Sequence, residues 1–268
     1  MTACASRAAV LQWREYIVIK EGKGMSNITE LITEGKGKRL YATENPDEAV
    51  VYYRDETFAF HGLKRGRIIG KGEINNLICE YMFTLLTEKG VPNHFIRRID
   101  DRCSLVKRVQ IIPVTVKVRN IVAGSLARRI GYPDGTRLKN TVVEYCLKDP
   151  DLEDPLVNLT HITAMELATR EEMAQMEAMG LRVNDVLREC LRDINIELID
   201  LKLEFGRFHG QILLADEVSP DTCRFWDSRT HEPLDIDCFR HDLGNVEEAY
   251  REVLHRLTGN VLKTTEEE

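Results

Sequence analysis

Glu34-Gly35-Lys36-Gly37-Lys38-Arg39 packs three cations and two glycines into six residues. Glycines let a ligand approach the backbone, and closely spaced cations suit phosphate. The spacing is not that of a Walker A loop, and a solvated hairpin tip has the same composition. In a second segment Asp200, Lys202 and Glu204 alternate with Leu201, Leu203 and Phe205. A strand sets the three polar residues on one face. If the following hairpin pairs in an even register, Asp216 joins them; a slip of one residue removes it. Carboxylates gathered around a lysine match a magnesium–nucleotide site, in which oxygen ligands hold the hard cation. The plainer reading is a surface ladder of paired charges. A third segment carries Lys117, Arg119, Arg128 and Arg129 within thirteen residues. Lys117 and Arg119 share a strand face, and Gly124 with Ser125 opens a helix whose N-terminus suits a phosphate. A salt-bridged surface fits these residues as well. Arg224 stands among carboxylates shortly after that hairpin's return strand.

The elements that must position these groups follow from periodicity. Ile28 to Glu34 and Arg39 to Thr43 read as a hairpin about the glycine–lysine loop, and Ala49 to Arg54 as a third strand. Ile74, Leu77, Ile78, Tyr81, Met82, Leu85 and Leu86 recur at helical spacing until Gly90 and Pro92. Ser104 to Val109, Val114 to Val118 and Val142 to Lys148 have strand character, with a turn at Pro133-Asp134-Gly135. Thr169 and Glu172 form a capping box for a helix to about Asp193, whose Met173, Met176, Met179 and Leu187 read as packing. Glu197 to Phe205 and Gln211 to Asp216 form a hairpin across Gly206 and Gly210. Asn245 with Glu248 caps a last helix to Leu257. Strands first, then a helix, then a mixture, imply an α+β protein of two closely packed lobes.

Composition narrows the function. A net charge of −7 argues against a general nucleic-acid binder, so anions must be met by local basic clusters. No apolar stretch approaches the ~20 residues that span a bilayer. Seven scattered cysteines without C-x-x-C spacing argue against both a disulfide scaffold and a zinc site and fit a reducing cytoplasm. Residues 1–24 read as a poorly ordered extension before Met25, and 263–268 as a frayed tail.

Taken together, the segments resemble the SAICAR synthetase (phosphoribosylaminoimidazole-succinocarboxamide synthase) family from about Leu31 to Leu257. The resemblance rests on Gly35 to Tyr41, Lys71-Gly72 with Asn75-Asn76, Val118 to Leu126, Glu144 to Lys148, Asp200 to Gly206, and Leu214 to Asp221 through Arg224 to Asp227. It implies a β-rich N-terminal lobe (25–110) and a larger α/β lobe (111–262) with ATP between them. It implies ATP and magnesium as cofactors, with Gly35, Lys36, Lys38, Lys148, Glu204 and Asp216 on the nucleotide and Glu204 and Asp216 on the metal. Arg119, Ser125 and Arg224 match residues that hold the anionic ribotide, and Lys36, Lys38, Asp200 and Lys202 are the catalytic candidates. The implied reaction joins a carboxylated aminoimidazole ribotide (CAIR) to L-aspartate, giving SAICAR, ADP and phosphate through an acyl phosphate, with no essential cysteine. It also implies small-molecule substrates rather than nucleic acid or membrane, and a homo-oligomer, commonly a dimer. One departure is Thr57 to Gly62, where the family has Ser/Thr-Ala-x-Asp/Asn-Gly; His61 is left out of the catalytic set.

Two other readings compete. A kinase-like phosphotransferase shares the lobed order and the glycine–lysine hairpin, but H-R-D, D-F-G and A-P-E are missing and the Arg119 to Ser125 cluster is unexplained. A nucleotide sensor or RNA-binding module leaves Glu204 and Asp216 without purpose.

Overall fold

The computed structural model describes residues 28–59 and 63–259. The expectations for residues 1–24, His61 and the 263–268 tail lie outside the described residues. Strands β1 (Ile28–Glu34) and β2 (Lys38–Thr43) form the expected hairpin, with Glu34 opposite Arg39. β3 (Glu48–Tyr53) follows antiparallel, and β4 (Glu56–Ala59) pairs with β5 (Lys64–Arg67) as a separate ribbon. Helix α1 (Lys71–Glu88) buries Ile74, Ile78, Met82 and Leu86, the stripe that its 3.6-residue spacing predicts. β6 (Phe95–Arg98) and β7 (Cys103–Lys107) complete a five-stranded sheet of order β1-β2-β3-β7-β6.

The second sheet is larger. It contains β8 (Gln110–Ile111), β9 (Val114–Ile121), β10 (Arg137–Leu147), β11 (Leu156–Val157), β12 (Ile196–Phe208), β13 (Gln211–Ala215) and β14 (Cys223–Asp227). Its main path runs β11-β10-β9-β12-β13, with β14 and β8 also on β12. Short helices α2 (Ser125–Ile130) and α3 (Leu159–Ala164) interrupt the strands. Helix α4 (Arg170–Asp193) packs behind β9 and β12, and α5 (Asp237–Arg240) and α6 (Val246–Thr258) close the chain.

Thr169 and Glu172 make both capping-box bonds at α4, and Met173, Met176 and Leu187 are buried as packing. Asn245 precedes α6 but adopts a left-handed backbone (φ 48°) and makes no side-chain cap, so that expected capping box does not form. The β12–β13 turn is His209-Gly210, with Phe208 opposite Gln211; Gly206 lies inside the strand instead. A Cβ on Gly206 would stand 2.5 Å from Val109 Cγ2, so glycine there answers a close approach and not a turn.

β12 organises the molecule. Its first half pairs with β9 and β14, and its second half with β13 and β8. One continuous core joins β3 and α1 of the first sheet to β9, β12, α4 and α6. Among the described residues no helix is long and apolar enough to cross a membrane. The α+β class expected from the element order is what the chain adopts.

Candidate active site

Alternation on β12 sends Asp200, Lys202 and Glu204 to one face, while Leu201, Leu203 and Phe205 enter the core. Two charge clusters are built on that face, one at each end of the triplet.

At the Glu204 end, the loop before β2 closes with the Gly35 N–H donating to the Lys38 carbonyl at 2.8 Å. The Lys38 ammonium lies 2.6 Å from Asp216 Oδ1 and 2.8 Å from Glu217 Oε1. Glu204 receives Lys202 at 3.0 Å and also pairs with Lys148. Asp216 arrives by a different route from the one its spacing suggests. The register pairs Glu204 with Ala215, an odd offset that would put Asp216 opposite Leu203 on the far face. Asp216 instead leaves the strand with φ 64°, and this left-handed residue turns its carboxylate back to Lys38. Burial resists ionisation of Asp216, but Lys38, Lys202 and Lys148 hold its carboxyl below the usual range. Burial also opposes the charge on Lys38, and Asp216 with Glu217 more than restores it, raising that ammonium. Glu217 moves the other way: burial pushes its carboxyl up, against the pull of Lys38.

Under the loop lies a group that the sequence reading did not assign. Lys71 is 1% exposed and stands 2.6 Å from Asp221 Oδ2. The Tyr250 hydroxyl of α6 donates to the other oxygen, Oδ1, at 2.6 Å. A Cβ on Gly37 would be 3.4 Å from Lys71 Nζ and 3.5 Å from Asp221 Oδ2, so this pair supports the loop from beneath.

At the Asp200 end, neighbouring strands supply the cluster. Asp200 faces Arg119 on β9 and Arg224 on β14. Asp200 Oδ2 accepts from Arg119 Nη1 at 2.7 Å and from Arg224 Nη1 at 2.6 Å. Arg119 Nη2 reaches Ser125 Oγ at 3.2 Å, and its Nε donates to Glu144 at 2.6 Å. Arg224 is further held by Asp237 at 2.5 Å. Burial works against its charge, yet Asp200 and Asp237 keep the guanidinium firmly protonated. Gly124 (φ 54°) is required beside it, because a Cβ there would lie 2.9 Å from Arg224 Nη2.

Lys38, Lys148, Lys202, Glu204 and Asp216 are thus gathered at one end, and Arg119, Ser125, Asp200 and Arg224 at the other. Gly35 sits at the base of the loop. Lys36 is exposed and forms no ion pair or hydrogen bond with another described side chain. Lys71, Glu144, Glu217, Asp221, Asp237 and Tyr250 are the partners not singled out beforehand. Lys71, Glu144, Glu217 and Asp221 did fall within the motifs noted above, whereas Tyr250 carries no local signal. Glu204 and Asp216 are hard oxygen donors beside a phosphate-type loop. Their chemistry suits a magnesium ion, which takes one or two carboxylates and completes its shell with phosphate and water.

The family model of SAICAR synthetase matches residues 31–257, a span that contains both clusters. The chain belongs to the SAICAR synthetase family. The phosphoribosylaminoimidazole-succinocarboxamide synthase of Brevibacillus brevis is 55% identical over 87% of this chain and 98% of its own. That of Persephonella marina is 51% identical over 85% of this chain and 96% of its own. Among solved structures, the enzyme of the same name from Ehrlichia chaffeensis superposes with a TM-score of 0.84 at 41% identity, covering 87% of this chain and all 100% of that one. A SAICAR synthetase in complex with ADP superposes at 0.85 with 39% identity and the same coverage. As a SAICAR synthetase family member the chain is an ATP-dependent ligase of purine biosynthesis.

Proposed function

We propose that the two clusters on β12 bring ATP and CAIR together for ligation to L-aspartate, giving SAICAR, ADP and phosphate. The observation that carries this reading is the spacing of Asp200 and Glu204. They lie on one face of one strand, about 13 Å apart at ~3.3 Å per residue. That is room for two polyanions meeting end to end.

In this reading the Gly35–Lys38 loop and Lys148 take the ATP phosphates, Lys36 from the exposed tip. Glu204 and Asp216 would hold magnesium, which offsets phosphate charge when bound. Arg119, Ser125 and Arg224 take the ribotide, with Asp200 holding both guanidiniums in place. The ribotide carboxylate attacks the γ-phosphorus, its bond to the bridging oxygen of ADP breaks, and an acyl phosphate results. The aspartate amine then attacks the acyl carbon, loses a proton and expels phosphate. Lys38 and Lys202 lie beside the transferring group and stabilise its charge; the remaining gain is positioning. The relatives' shared name and the ADP-bound neighbour of the same fold support the assignment of substrates. We further place ATP between lobes 25–110 and 111–262, in a cytoplasmic homodimer. Sedimentation of purified protein reads the dimer directly, and a monomer mass excludes it.

The test is ADP release with Mg-ATP, CAIR and L-aspartate, omitting each in turn. ADP formed only with all three, with SAICAR in equal amount, is expected. Equal ADP release without CAIR and aspartate sinks the ligase assignment of these residues.

A further inference from the structure

Lys117 is two residues from Arg119 on β9, so its side chain lies on the same face as the site. The strand register fixes its neighbours: Glu144 opposite on β10 and Lys202 opposite on β12. Both are engaged elsewhere. Glu144 binds Arg119 at 2.6 Å and pairs with Arg129, and Lys202 binds Glu204 at 3.0 Å. Lys38, Lys148, Lys202, Arg119 and Arg224 are each held by a carboxylate. Lys117, half-buried, forms no ion pair or hydrogen bond with another described side chain.

Two ammonium groups directly opposite on adjacent strands repel one another. An anion between them converts that repulsion into attraction. The Lys117–Lys202 row stands between the Arg119–Asp200–Arg224 row and Glu204, about 7 Å from each along the strand. We propose that Lys117, with Lys202, binds a substrate carboxylate at the point where the two clusters meet. The inference rests on the ligase reading, in which two substrates bear carboxylates, the ribotide on its ring and aspartate at both ends. A carboxylate in this row lies beside the phosphates held at Glu204 and beside the ribotide held at Arg119. Lys117 is then a binding residue of the reaction, distinct from the cations that are tied to protein carboxylates.

The experiment compares wild type with Lys117→Met, which keeps the unbranched stem, and Lys117→Arg, which keeps the charge. KM is measured for each of the three substrates, with circular dichroism to check folding. Lys117→Met should raise KM for CAIR or for aspartate about ten- to a hundredfold, the loss expected for one charge-assisted bond. KM for ATP should stay within twofold, and Lys117→Arg should recover most of the loss. Which KM moves identifies the carboxylate. Unchanged KM for both carboxylate substrates, or a change confined to ATP, overturns the proposal. Calorimetric titration of CAIR and of aspartate onto both proteins judges Lys117 without turnover. Wild-type protein that binds CAIR but shows no three-substrate turnover would count against the ligase reading, and equal affinities in the Met variant against Lys117.

Discussion

The Arg119–Asp200–Arg224 cluster is drawn from three adjacent strands of one sheet, whereas Lys38 and Asp216 are 178 positions apart in sequence and come from two sheets. The first is set by register: once β9, β12 and β14 pair, both guanidiniums must face Asp200. The second is set by closure. It needs a hairpin loop, a left-handed residue beyond a strand end, and a buried Lys71–Asp221–Tyr250 brace beneath the loop. A site can therefore be rigid at one end by strand geometry and at the other only by tertiary contact. The two ends should fail in different ways.

The largest effect is expected at the closure end. Asp216→Ala removes a partner of Lys38 and one of the two oxygen-donor residues proposed for magnesium, and should lower kcat roughly a hundred- to a thousandfold. KM for CAIR should hold within twofold; an equal rise in that KM would erase the distinction between the ends. At the register end, Arg224→Lys keeps the charge but loses the planar fork that spans Asp200 and Asp237. KM for CAIR should rise about tenfold with ATP unaffected, since one charge-assisted bond is lost. Tyr250→Phe tests the brace at a distance. Asp221 loses one donor, so urea unfolding should report about 1–2 kcal/mol less stability. KM for ATP should rise severalfold in the same variant, and a change in KM for CAIR instead would detach the brace from the loop. The smallest effect belongs to the cysteines. Cys79 is fully buried, and burial lifts its thiol to about 12; Cys223 is raised by burial too. Folded Cys79→Ser and Cys223→Ser proteins should turn over within twofold of wild type, and loss of activity would require a covalent role that the geometry does not offer.

The register end was legible in the sequence because period-2 alternation states which side chains share a face. Asp200, Lys117 and Arg119 follow from it, and so do Lys202 and Glu204 of the other end, because they share the β12 face. Helices α1 and α4 were legible for the same kind of reason, from a 3.6-residue stripe and a capping box. Asp216 was reached for the wrong reason. The even register does not occur, and its place depends on one left-handed backbone angle that no pattern announces. The burial of Lys71 was opaque because no local pattern calls for it, and only Asp221, 150 residues later, makes it tolerable. The β4–β5 ribbon escaped notice because Lys64-Arg65-Gly66-Arg67 has no apolar alternation. Asn245 shows the converse, a cap residue at the right place whose left-handed backbone makes no cap.

The brace under the loop also sets an order of events during synthesis. A ribosome delivers roughly 5–20 residues per second. The 178 positions between Lys38 and Asp216 then take on the order of ten seconds or more to emerge. Throughout that interval the Lys38 ammonium lacks its carboxylate partners Asp216 and Glu217. Tyr250 comes later still, so the Lys71–Asp221 pair lacks its hydroxyl partner until the last helix docks. Long-range contacts of this kind slow folding, and here the delay falls on the glycine–lysine loop.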